Sequence, residues 1–247
     1  MPINYLRGFT KPERSDATNR RLGQSLAFVA GAANAGGFLA VGQYTSHMSG
    51  IVSALADNLA LGDVNAVVEG LSPLLSFLVG AATSAILINW GRGRNLRSQY
   101  AMPLMLEAAL LLLFGLLGSN LETHRLLFVP TTVCLLCYVM GLQNAMITKI
   151  SRAEIRTTHV TGLVTDIGIE LGKLFYWNVG ATPRSLVRAD RQKLGLLGSL
   201  LLSFFTGGFV GAVGFRHLGF VSTIPLAIVL LTLAVVPVVD DVLAQRR

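Results

Sequence analysis

TSHMSGIVS at residues 45–53 returns as TTHVTGLVT at 157–165, and the fold is read outward from that echo. Thr45, His47, Gly50 and Val52 recur as Thr157, His159, Gly162 and Val164, while the other five positions exchange Ser for Thr or one apolar residue for another. Upstream, GAANA at 31–35 returns as GLQNA at 141–145, and downstream SFLVGAATSA at 76–85 returns more loosely as SFFTGGFVGA at 203–212. Three elements recurring in one order point to two copies of an ancestral unit.

Composition says where those copies reside. Of 247 residues, 52% are hydrophobic and 13% charged, with a mean hydropathy of +0.60, which is far more apolar than a soluble domain of this length. A helix crosses a bilayer core with about 20 apolar residues. Six stretches qualify, near 22–42, 71–90, 101–119, 126–147, 196–215 and 218–239. The expected fold class is an all-α polytopic membrane protein. A polar segment at 1–21 precedes the first span and Asn34 interrupts it, so that span reads as a retained helix rather than a cleaved signal peptide. The chain divides into that cytoplasmic N-terminal segment, one transmembrane domain at 22–239 and a cytoplasmic tail at 240–247.

Charge sets the orientation. With a cytoplasmic N-terminus, 18 of the 20 basic residues fall inside, Arg94 and Arg97 between spans two and three among them, and only Arg125 and Arg216 fall outside. The net charge of +7 and the pI near 9.9 then reflect topology and anionic lipid rather than nucleic acid. Membrane lipids are the expected partners, and self-association is compatible with the pattern. The expected location is a bacterial inner membrane.

Each copy holds three spans, an odd number, so the second enters the membrane from the opposite side. The expectation is two inverted repeats, at about 22–119 and 126–239, each with an extra short helix after its first span. Ser49 and Thr161, each followed by glycine, are expected to cap those short helices, whose N-terminal dipoles would favour an anionic or strongly polar guest. The symmetry breaks at a basic cytoplasmic linker, about 174–195, which is expected to lie on the inner membrane surface.

The residues expected to line a pathway are Asn34, His47, Ser49 and Gly50 from one copy and Asn144, His159, Thr161 and Gly162 from the other. An amide at membrane depth must meet protein, water or solute, so Asn34 and Asn144 read equally as helix-packing groups or as solute contacts. His47 and His159 fit either a proton relay or a bond to backbone at a chain break. Glu107, alone inside AMPLMLEAALLLLFG, is a candidate for proton coupling or a structural hydrogen bond.

Other signals are weak. Cys134 and Cys137 lack the further ligands of a metal set, Asp166 and Glu170 share a helix face without specifying chemistry, and Asp57 and Asp63 read as solvated charges. His124 and His217 read as parts of external connections. No nucleotide-binding, nucleophile-elbow or zinc-protease pattern occurs in the sequence, so neither an enzyme nor a cofactor or metal is expected.

The run GFLAVGQYTSHMSGIVSALA, with the later TTHVTG, resembles the YoaK family of bacterial six-span membrane proteins, whose function is uncharacterised. The likeness extends over nearly all of the chain after residue 20 and is most specific at His47, Ser49 and Gly50. Members often carry Asn directly after the SHMTG-like motif, where this chain has Ile51. The resemblance implies the membrane fold and the bacterial inner membrane, and no substrate. Two functions stay open at this point: a transporter or channel for a small solute or ion, and a noncatalytic membrane scaffold or sensory subunit. Polar residues reachable from water at membrane depth favour the first, and a dry, fully bonded core favours the second.

Overall fold

The computed structural model of the chain describes residues 16–96, 98–118, 125–151, 155, 157–178 and 186–245. The polar residues before 16, Arg97, His124, Arg152, Arg156, Arg184 and the last two arginines lie outside the described residues. The elements are α1 (Asp16–Val41), α2 (Met48–Ala60), α3 (Val64–Gly93), α4 (Ala101–Gly118), α5 (Arg125–Ile150), α6 (Val160–Phe175), α7 (Arg191–Leu218) and α8 (Thr223–Gln245). Among the described residues there is no strand.

Among the described residues, five stretches are long and apolar enough to cross a membrane: Ala17–Val41, Val64–Gly93, Ala101–Gly118, Phe128–Ile150 and Arg191–Val235. The last, 45 residues long, holds two helices. Gly219 at φ +60 ends α7, and a 3-10 turn at Gly219–Ser222 starts α8. Gly214 packs against the Ser222 side chain at this turn, and α8 then runs back along α4. The second stretch starts earlier than the hydropathy suggests. Asp63 caps α3 by accepting the Ala66 N–H at 3.0 Å, so this residue is more than a solvated charge.

Much of the apolar surface of α3 and α7 points outward, while α1 and α5 bury most of theirs. Only 22% of the most apolar window of α3 is buried, and Leu75, Leu78 and Ile86 on α3 and Leu202, Phe205 and Phe209 on α7 are exposed. In water such a surface drives aggregation, whereas hydrocarbon solvates it, and every helix satisfies its own backbone. Several apolar helices arranged in this way point to a multi-pass membrane protein.

The long helices pair across the two halves of the sequence. α1 runs parallel to α7: Gln24 Nε2 donates to Ser199 Oγ at 2.9 Å towards one end, and Gly36 meets the Phe215 ring towards the other. α3 runs parallel to α5, from the contact of Gly80 with Tyr138 to the bond from Lys149 Nζ to Asn89 Oδ1 at 3.0 Å. α4 and α8 are antiparallel, with the Ser98 N–H on Asp241 Oδ2 at 2.7 Å and Gly118 against Phe220. α1 crosses α5 in the opposite sense, Gln143 Nε2 donating to the Leu26 carbonyl at 3.1 Å and Gly37 packing on Leu136. These directions gather Arg20, Arg21, Arg92, Arg94, Lys149 and Arg191 at one end of the bundle and Arg216 at the other.

Glycines allow the closest crossings. A Cβ on Gly31 would strike the Phe204 carbonyl and one on Gly207 the Phe28 carbonyl, while a Cβ on Gly141 would strike the Phe77 carbonyl and one on Gly80 the Tyr138 carbonyl. The two crossings use equivalent repeat positions, Gly31 with Gly141, Phe204 with Phe77 and Gly207 with Gly80.

Candidate functional site

The two TxHx[ST]G segments border one cavity of about 1120 Å³. The first half lines it with Asn34, Ser46, His47 and Ser49, and the second with Asn144, Thr158, His159, Thr161 and Gly162. Phe77 of α3 and Phe204 of α7, the aromatic residues of the loosely repeated SF element, also line it, as does Lys149 of α5. His47, Ser49, His159 and Thr161 are exposed.

The loops leading to the short helices are held in the same way in both halves. Asn34 Oδ1 accepts from Ser46 Oγ at 3.0 Å and from the Ser46 N–H at 3.4 Å. Asn144 Oδ1 accepts from Thr158 Oγ1 at 2.9 Å, and its Nδ2 donates to the Met140 carbonyl at 2.8 Å. Each GxxNA amide therefore finds a partner in the loop of its own half, at the residue just before the histidine. An amide placed in an apolar helix is costly unless bonded, and these bonds relieve that cost while fixing the loop.

The caps differ from expectation. The short helices begin at Met48 and Val160, so His47 and His159 are the N-cap residues, and neither makes a side-chain capping bond. The histidine carbonyls accept the first helical bonds, from Ile51 N at 3.2 Å and Leu163 N at 3.0 Å. Ser49 and Thr161 fall in the first turn instead, facing the cavity. Gly50 does not line the cavity. A Cβ there would stand 2.9 Å from His47 Nδ1, so glycine lets the imidazole fold back over the helix start. At Gly162 the corresponding distance is 3.7 Å, an ordinary contact.

Glu107 is not brought to this cavity. It is fully buried on the face of α4 that carries Leu104, Ala108 and Leu111, and neither carboxyl oxygen has a hydrogen-bond partner among the described residues. Thr45 and Thr157, also buried, leave their hydroxyls without partners there. Cys137 donates to the Thr45 carbonyl at 3.3 Å, and no group that could hold a metal ion occurs among the described residues. His217 lies in the last turn of α7 rather than in a connection.

Glu170 has a role that spacing alone did not reveal. One carboxylate oxygen accepts from Lys173 Nζ at 2.8 Å and the other from the Asp190 N–H at 2.8 Å, while Lys193 Nζ stands 4.0 Å away. The Lys173 bond first, then the Asp190 N–H, hold this carboxyl below its ordinary range. Asp190 in turn caps α7, accepting from Gln192 N and Lys193 N at 2.9 Å each. The end of the linker is thereby fastened to α6.

A model of a family of proteins of unknown function, DUF1275, matches residues 22–236, which takes in all or most of each helix and the whole cavity. The chain belongs to the DUF1275 family. Neither the curated proteins nor the solved structures give a match. The DUF1275 assignment supplies no chemistry, so the site rests on its own geometry. Ser46 and Thr158 stood inside the quoted echo without being singled out, and Phe77 and Phe204 were obscured because the echo loosens there and its offset grows by the linker insertion.

Proposed function

We propose that the chain is a small-solute or ion transporter or channel of six spans, α1, α3, α4, α5, α7 and α8, arranged as two inverted three-span repeats. The short helices α2 and α6 are its paired gates or binding loops. The observation that carries this reading is the single cavity lined by the same motif from both halves, with its histidines and hydroxyls exposed rather than sealed in a dry core. Parallel pairing of α1 with α7 and of α3 with α5, through equivalent glycines, supports a two-fold axis between the repeats. The gathering of basic residues at one end of the bundle supports cytoplasmic termini in a bacterial inner membrane. Within the DUF1275 family, the SHMSG run supports placement with the YoaK group. Lipid and a small solute are the proposed partners, without an enzymatic step.

The test is reconstitution in liposomes, with small anions, cations and neutral solutes offered to the parent and to His47→Ala and His159→Ala. The parent is expected to move at least one solute above protein-free vesicles, and each variant to fold normally with altered flux. Folded protein that moves none of them removes the transport reading and leaves a scaffold.

A further inference from the structure

We propose that the cavity between the halves is selective for organic anions, a carboxylate or similar singly charged acid group carried on a small apolar body. The inference rests on the solute-site reading above and assigns its substrate class. Lys149 is the cavity's one formally charged residue, and neither Asp nor Glu is among the residues that line it. Its ammonium donates to the neutral Asn89 Oδ1 at 3.0 Å, and no ion pair among the described residues includes it. A lysine kept at a membrane protein's cavity without an acid partner is neutralised most directly by an anionic guest.

The rest of the wall agrees in sign and shape. Ser49 and Thr161 offer hydroxyl donors, and His47 and His159 offer ring N–H groups. Phe77, Phe204, Met48 and Val160 supply an apolar wall. A small inorganic ion would leave that wall unused, and a cation would face Lys149 with no carboxylate to receive it. An acid group near Lys149 with its hydrocarbon against the two phenylalanines uses both surfaces.

Calorimetric titration of the full chain in detergent with benzoate, benzyl alcohol and benzylammonium separates charge from ring. Benzoate is expected to bind more tightly than the other two. Lys149→Met is expected to weaken benzoate by roughly tenfold or more, the scale of one lost charge-assisted hydrogen bond, without changing benzyl alcohol, while Lys149→Arg retains benzoate. Elution and melting like the parent's qualify each variant, and Lys149→Gln replaces the Met variant should that one misfold. Binding of benzylammonium or benzyl alcohol as tight as benzoate, an unchanged Lys149→Met, or no binding of any probe overturns the inference. Benzoate binding without benzoate flux in vesicles keeps the anion site and removes transport. Flux of a cation without benzoate binding does the reverse.

Discussion

Asn34 and Asn144 show how much of the site a sequence can hold. Their recurrence in GAANA and GLQNA marked them, but their partners, Ser46 and Thr158, depend on how the loop bends back after α1 and α5, which local spacing does not encode. Asn34→Ala is expected to cost about 1 kcal/mol, the usual scale of one hydrogen bond, and adding Ser46→Ala should cost little more because both remove the same bond. Thermal unfolding of the two single variants and the double variant measures that coupling, and fully additive losses would contradict the tether. Glu107 makes the opposite case. A fully buried carboxyl without a partner among the described residues is a liability if its only role is structural, so Glu107→Leu should then raise stability by about 1–3 kcal/mol. If it carries protons, the same variant melts higher but loses pH-driven solute uptake, and vesicles with an imposed pH gradient separate the two outcomes.

At the scale of the element, hydroxyl-glycine pairs are good statistical caps, which is why Ser49 and Thr161 were expected to begin the short helices. They do not, because the histidine carbonyls two residues earlier already accept the first helical bonds, leaving the hydroxyls to face the cavity. The existence of α2 and α6 was therefore legible, and their first residue was not. The linker behaves likewise: its basic character was plain, while its attachment to Glu170 requires knowing that the chain returns over α6. That attachment has a pH dependence of fixed sign. Glu170 is held below the ordinary carboxylate value of 4.5, so its contribution is present above that value and is lost as the pH falls through the lower folded one. Hydrogen exchange at the Asp190 amide is expected to stay slow near neutral pH, after correction for intrinsic rates, and to lose protection in acid. Glu170→Gln, which cannot pair with Lys173 as a charge, should show reduced protection near neutral pH and converge with the parent in acid; equal protection in both proteins at neutral pH would argue against the clamp.

For the whole molecule, the echo pointed to two related halves but not to which helices touch, because likeness of sequence says nothing about partner choice. The glycine crossings supply that information. Gly31→Ala and Gly141→Ala should each destabilise by about 1–3 kcal/mol, since the added carbon meets backbone rather than a movable side chain. Gly168→Ala and Gly172→Ala in α6, where nothing stands within 4 Å, should be neutral or stabilising by up to about 1 kcal/mol. Melting temperatures of the four variants test the contrast. The proposed orientation has its own test at Arg94, the C-cap of α3, stacked 4.4 Å over Trp90. Arg94→Cys in a background lacking Cys134 and Cys137 should resist an impermeant thiol reagent in intact cells, and labelling there would put that end of the bundle outside. The cross-half pairing also governs how the chain is made. Gln24 waits for Ser199, 175 residues later, which at synthesis rates of about 5–20 residues per second is roughly 10–35 seconds. Throughout that interval the glycine face of the first helix has only lipid or the insertion machinery to cover it. A nascent chain stalled before α7 would therefore present an unfinished surface to quality control, however well its first half had been inserted.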